Sequence, residues 1–345
     1  MVLKGKNIKL KKRGLFIMSN FFKKIVLVLF VCVSFIYAKD SNKIVIAGPI
    51  ATISHPVFYM IQNDVLKDMD IKIEFRLWNN PDELRALIIN KSVDFIALPT
   101  NVAANLHNKG VDVKLLNVVT WGILGFVSRD NNLKTIEDFK GKEIIVPFRA
   151  DMPDIVLQAL IKKAGLDVKK DFKLKYVSNP VDAMQMLILR RADHALLAEP
   201  ATSIALRKTD SFPIKLVAPE LYRSMSLQDE WGRLFNVESK VPQAGLAFVG
   251  DVNSNNKLIE RFLQEYEKAL VWYKENQKEA AELTVKSLPM LEVNGLADSI
   301  DHVIFKSVSA EDSKEDLQLF FEVIKDIEPK LIGGKLPEDS FYFKK

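Results

Sequence analysis

The chain is nearly free of cysteine. Its 345 residues contain one, Cys32, so an intramolecular disulfide is excluded. Histidine is scarce as well. His55, His107, His194 and His302 are the four, and none stands at metal-ligand spacing from another, so no metal site is expected. The glycine-rich phosphate signatures GxGxxG and GxxxxGK[ST] are missing, as is the GxSxG of serine hydrolases. With them go the commonest sequence routes to a nucleotide cofactor or a nucleophilic serine, and no cofactor is expected. No Gly/Ser-rich linker interrupts the chain, so any boundary between lobes must be crossed by ordered backbone. Beyond the N-terminal segment, no apolar run approaches membrane length.

Acidic residues are absent from the first 38 positions, which carry eight basic ones. The net charge of +5 is therefore local. The remainder holds 41 basic against 44 acidic residues, a net of −3, which gives no ground for a nucleic-acid partner. The first 38 residues read as a cleaved signal peptide. Phe21-Phe22-Lys23-Lys24 is its charged start, residues 25–37 (IVLVLFVCVSFIY) are a 13-residue apolar stretch, and Ala38 is the small residue before the cut. Met18 heads this signal, with residues 1–17 as an extension or an upstream start. Cys32 fills the apolar stretch; bulky Phe30-Val31 before it argue against a lipid anchor. The expected product is a soluble periplasmic chain beginning at Lys39.

After that point strand candidates recur at 43–48, 71–78, 94–99, 113–119, 122–129, 143–147, 172–177, 194–199, 214–219 and 244–250. Several are continuous apolar runs, as in parallel strands covered on both faces. Helical patterns lie between many of them, at 56–69, 81–91, 101–108, 153–164 and 181–191, so the expected class is α/β. From 256 the character changes to helix, with further helix expected at 295–305 and 313–327.

One unit occurs twice. NPDELRALIINKSVD (80–94) and NPVDAMQMLILRRAD (179–193) align without a gap, and each leads into an apolar strand that ends near proline. Each copy reads as one helix-plus-strand step, and two copies suggest two similar sheets. The carboxyl ends of such strands are where α/β folds bind ligands. Two lobes with facing edges then make a cleft. With the return strand AGLAFVG, the expected division is 39–127 plus 245–345 for lobe 1 and 128–244 for lobe 2.

Four loops at those edges open helices: Ser54-His55-Pro56, Pro99-Thr100-Asn101, residues 147–153 and Glu199-Pro200-Ala201-Thr202. Ser54, Thr100 and Asp151 are expected caps. Free N–H groups at helix starts favour an anionic or polar ligand, although every α/β protein has such capped starts. Arg149 could clamp a carboxylate, sulfonate or nitrate-like group, or equally pair with Asp151, Asp154 or Glu199. Trp78 and Trp121 stand at lobe edges, where they could stack on a ligand or fill the core.

Four segments in order, DELRALIINKSVDFIALPTNVAANL, TIEDFKGKEIIVPFRADMPDIVLQALIKKAGLD, DAMQMLILRRADHALLAEPATSIAL and EPKLIGGKLPEDSFYF, resemble ABC-transporter solute-binding proteins of the nitrate, sulfonate and taurine type, grouped with thiamine-precursor binding proteins. The likeness covers most of 43–343 and leaves 220–243 unassigned. It implies a two-lobe type II periplasmic-binding fold with a ligand cleft and a helical C-terminal region. It also implies a monomeric, non-enzymatic protein that passes a small, polar, anionic solute (sulfonate, nitrate-like anion, carboxylate or thiamine-precursor-like) to the transmembrane subunits of an ABC permease. The candidate ligand-binding residues are Ser54, His55, Thr100, Asn101, Trp121, Arg149, Asp151 and Glu199. Two rivals use the same scaffold: an enzyme of the cofactor-biosynthesis type, and a sensory module presenting its ligand to a membrane receptor.

Overall fold

A computed structural model describes residues 43–217 and 220–344. The signal peptide, its cut after Ala38 and Cys32 lie outside the described residues. Among the described residues no helix is long and apolar enough to cross a membrane.

Among the described residues eleven strands form two sheets. The first contains β1 (Lys43–Gly48), β2 (Lys72–Leu77), β3 (Phe95–Pro99), β4 (Val113–Gly122), β10 (Ala244–Val249) and β11 (Ile304–Ser309), in the order β11-β4-β10-β3-β1-β2. The second contains β5 (Leu124–Ser128), β6 (Glu143–Pro147), β7 (Lys173–Val177), β8 (His194–Ala198) and β9 (Tyr222–Ser226), in the order β7-β6-β8-β5-β9. Only Ile123 separates β4 from β5, so the chain crosses between sheets almost as one strand. It returns along 241–244, where Val241 N–H donates to Trp121 O (2.7 Å) and Gln243 N–H to Thr120 O (3.0 Å).

The repeated unit is used once per sheet. Asn80 and Asn179 have matching extended backbones (φ −153°, ψ 164° and φ −157°, ψ 167°), and each side chain accepts N–H groups of the next turn. Pro81 and Pro180 open the nine-residue helices Pro81–Ile89 and Pro180–Ile188, a position where a missing N–H costs nothing. Both helices turn out through a left-handed residue at the same position of the unit, Lys91 (φ 49°) and Arg190 (φ 57°). They bury Leu84, Leu87 and Ile88, and Ala183, Met184, Leu187 and Ile188. The strands that follow, β3 and β8, lie inside their respective sheets.

Three expectations change. The pairs β1–β3, β6–β7 and β6–β8 are parallel, but β5 runs antiparallel to β8 and β9, and β10 antiparallel to β3 and β4. These crossing strands enter their sheets from the other lobe, which reverses their direction. Residues 214–216 form a short 3₁₀ turn after Pro213, not a strand, because their N–H groups bond locally: Lys215 to Ser211 O (2.9 Å) and Leu216 to Pro213 O (3.1 Å). The helix expected over 295–305 spans Val293–Ser299, and the chain then enters β11, where Phe305 and Val308 pair with β4. The unassigned region 220–243 supplies β9 and the helix Leu227–Phe235.

The C-terminal helices cover both lobes. Asn256–Glu275 packs Phe262 against Phe95 of the first sheet at a ring separation of 3.9 Å. Lys314–Ile327 buries Leu317, Phe320, Phe321 and Ile324, and Phe320 meets Trp231 edge-on.

Candidate functional site

A cavity of about 300 Å³ lies between the carboxyl edges of the two sheets. The first-sheet side contributes Ile50, Ile53, Trp78, Leu84 and Leu98; the second-sheet side contributes Phe148, Met152, Pro153 and Val181. The crossing segments supply the floor: Thr120, Ile123, Leu124, Gln243 and Ala244. Trp78 enters because its indole N–H is anchored on Ala97 O (3.1 Å), which fixes the ring at the end of β2. The lining is mostly apolar. Among the described residues its polar side chains are Asn79, Thr120, Asp151, Asn179, Asp182 and Gln243, with no Lys, Arg or His.

An ion pair spans the cleft. Arg85, on the helix after Asn80, donates to Asp151 Oδ2 at 3.0 Å, while Asp151 Oδ1 accepts Met152 N–H at 2.9 Å and so caps its helix. Burial pushes the Asp151 carboxyl above its usual range, and Arg85 pulls it back. The loop before it is tightly shaped. Phe148 (φ 58°) and Ala150 (φ 59°) are left-handed without being glycine, a conformation that costs about 1–2 kcal/mol per residue. Asp154, fully buried, holds that loop by accepting Ala150 N–H (2.7 Å) and the Tyr176 hydroxyl (3.0 Å). Such strain clusters at ligand sites.

Of the eight candidate residues, Asp151 lines this cavity and the other seven stand elsewhere. Arg149 is exposed, with its guanidinium 5.1 Å from the Tyr176 ring centre. Trp121 is a core residue whose indole donates to Lys306 O (2.8 Å) and whose ring lies beneath Lys240. His55 is buried. Its Nε2 faces Ile50 O (3.0 Å), so that nitrogen carries the proton and Nδ1 accepts from the Tyr273 hydroxyl (2.9 Å). Burial lowers its pKa to about 4, so it is neutral at physiological pH. Ser54 is buried under the end of β1, where a Cβ on Gly48 would come within 2.2 Å of its hydroxyl. It caps no helix, since His55 holds the cap position without a side-chain bond. Thr100 is no cap either; its hydroxyl donates to Pro242 O (2.6 Å), and Asn101 is buried beside it.

Glu199 faces a second, polar cavity of about 420 Å³ that shares Ile123 and Leu124 with the first. Its carboxylate is paired with Arg223 and accepts the Ser203 N–H (3.1 Å) and hydroxyl (2.9 Å).

Sequence reasoning did not find Gln243, Thr120 or Arg85. Gln243 is only 1% exposed, and neither end of its amide has a partner among the described residues. The Thr120 hydroxyl, also buried, lacks one among them too. A buried polar group left without a partner costs about 1–3 kcal/mol. The available signal was a glutamine inside the apolar return segment VPQAGLAFV.

Residues 55–218 match the family described as periplasmic substrate-binding proteins of phosphonate ABC transporters. No curated protein sequence matches the chain. Among solved structures, an ABC transporter protein from Parabacteroides distasonis superposes with a TM-score of 0.70 at 23% identity, covering 88% of this chain and all of that one. The periplasmic aliphatic sulphonate binding protein SsuA of Escherichia coli gives 0.64 at 18% identity, covering 86% and 96%. The periplasmic nitrate-binding protein NrtA of Synechocystis gives 0.65 at 12% identity, covering 88% and 87%. The chain therefore has the type II fold of ABC-transporter substrate-binding proteins and carries, over residues 55–218, the sequence pattern of their phosphonate-binding family.

Proposed function

We propose that this protein is exported, captures a small solute between two lobes near 39–127 plus 245–345 and 128–244, and delivers it to the transmembrane subunits of an ABC permease. The observation that carries the reading is the cavity built from both sheets and spanned by the Arg85–Asp151 pair. A ligand touching both sides stabilises the closed arrangement by its differential contacts with it, and the near-continuous β4–β5 crossing is a natural hinge. Binding rather than catalysis is favoured by the chemistry in reach. His55 is buried, neutral and bonded at both nitrogens, and Asp151 is engaged by Arg85 and Met152.

The resemblance favours an anionic solute, but among the described residues the cavity walls carry no cationic side chain. Arg85 is held by Asp151, and Arg149 rests on Tyr176. An anion would have to draw one of these two away from its present contact.

Two measurements test the proposal. Mass analysis of the periplasmic protein should find its N-terminus at Lys39; an intact N-terminus in the cytoplasm contradicts export. Mass spectrometry of material released on denaturation should find one small solute, whereas conversion of that solute to a product by the purified protein contradicts the binding role.

A further inference from the structure

Hydrogen-bond donors are scarce around the cavity. Among the described residues that line it, Pro49, Pro81, Pro99, Pro147, Pro153 and Pro180 offer no backbone N–H. Three helices begin at its edge, yet their first N–H groups are largely taken. Asn80 Oδ1 accepts from Asp82 (3.1 Å) and Glu83 (2.9 Å), Asp151 Oδ1 from Met152 (2.9 Å), and Asn179 Oδ1 from Asp182 (2.9 Å). Of the described lining residues at these starts, Val181 alone keeps an N–H without a partner. The Trp78 indole N–H is engaged by Ala97 O (3.1 Å), and the Asn79 amide donates to Glu83 (3.2 Å). An oxyanion site needs converging N–H groups or a cation, and this wall supplies neither.

Acceptors are what remains. The charged side chains of the wall are Asp151 and Asp182. Arg85 compensates Asp151 at 3.0 Å. Asp182 has no cationic partner among the described residues; its Oδ2 accepts the Asn179 amide (3.0 Å), and its Oδ1 is left over. Asp182 is exposed at the cavity edge, so a bound solute can reach its carboxylate. Asn79, also exposed there, turns its amide N–H to Glu83 and leaves its carbonyl oxygen as a further acceptor.

We infer that the cavity takes a solute with an apolar body and a protonated amine, the Asp182 carboxylate being its counter-charge and the Asn79 carbonyl a second acceptor. The inference rests on the solute-capture reading and names its ligand class. An ammonium group brings donors only, which is what an acceptor-rich wall can meet. A carboxylate, sulfonate or phosphonate brings acceptors only; it would find no cation on the wall and would face Asp182 as a like charge. The apolar body matches Ile50, Trp78, Leu98, Phe148 and Met152.

Calorimetric titration of the full chain at neutral pH with benzylamine, benzyl alcohol and benzylphosphonate tests this, because the three share one apolar body and differ in charge. Benzylamine should bind tighter than benzylphosphonate by about ten-fold or more, since one gains a counter-charge and the other meets a like charge. Asp182→Asn, nearly isosteric, should weaken benzylamine by about three-fold or more, the scale of an exposed ion pair, and leave benzyl alcohol unchanged. Added salt should weaken benzylamine in the parent more than in the variant. An aspartate that serves only its helix start gives a different pattern: Asp182→Asn melts lower and binds benzylamine as the parent does. A smaller margin over benzylphosphonate, the reverse order, or a smaller loss in Asp182→Asn each overturns the inference. Where no probe binds, the solute released on denaturation decides. A cationic amine upholds the inference, an anionic or uncharged solute overturns the ligand class and leaves capture standing, and no solute at all sinks both.

Discussion

At the scale of single residues, His55 and Arg149 show how burial decides a role. His55 has a pKa of about 4 in the folded chain against 6.5 when unfolded, because burial disfavours its charged form. Between those values the unfolded chain holds more protons. Stability therefore rises with pH through that window and levels off above it, by up to about 3 kcal/mol from this group. Urea denaturation from pH 4 to 7.5 should show a steeper pH dependence in the parent than in His55→Gln; parallel curves contradict the assignment. Arg149 is exposed on the Tyr176 face and stands outside the cavity lining. Arg149→Ala should change the affinity for the co-purified solute less than two-fold by calorimetry. A loss of ten- to a hundred-fold, about 1.5–3 kcal/mol, would instead make it a charge-assisted clamp.

At the scale of elements, the repeated helix entry carries measurable stability. Asn80 accepts from Asp82 and Glu83 N–H (3.1 and 2.9 Å), and Asn179 from Asp182 N–H (2.9 Å). Asn80→Ala and Asn179→Ala should each cost about 1 kcal/mol in urea denaturation. Lys91→Gly and Arg190→Gly should each gain about 1 kcal/mol by relieving a left-handed conformation. The repeat, its helices and its buried strands were legible in the sequence because short-range rules fix them: Asn-Pro at the start, apolar spacing within, and an apolar run after. The crossing strands were harder to read. β5 and β10 have the same apolar composition as parallel strands, and their direction depends on which lobe the chain comes from. β11 was hidden because Val303 to Val308 continues a helical pattern until β4 offers it a partner. The site was the least legible part. Ser54 closes a short 3₁₀ turn, His55 precedes a helix and Thr100 opens one, and each turns its side chain into local packing. Gln243 and Thr120 reach the cavity because two segments far apart in sequence run side by side at the crossing, which no local pattern encodes.

At the scale of the whole molecule, the Arg85–Asp151 pair links the lobes before any ligand is considered. Its Arg85 side chain is about one-third exposed and its Asp151 side chain 6% exposed, so screening keeps its contribution toward the low end of roughly 1–3 kcal/mol. Arg85→Gln should shift the empty protein toward an open arrangement, seen as a larger radius of gyration in X-ray scattering. It should also leave Asp151 without its counter-charge and so raise that carboxyl further. An unchanged scattering curve means that the pair does not hold the lobes together. The central claim, that a small solute sits between the lobes, is tested most directly by native mass spectrometry of the purified full chain. The account expects a fraction of the protein to carry one extra small mass, lost on denaturation. A single bare mass that no added solute shifts would contradict it.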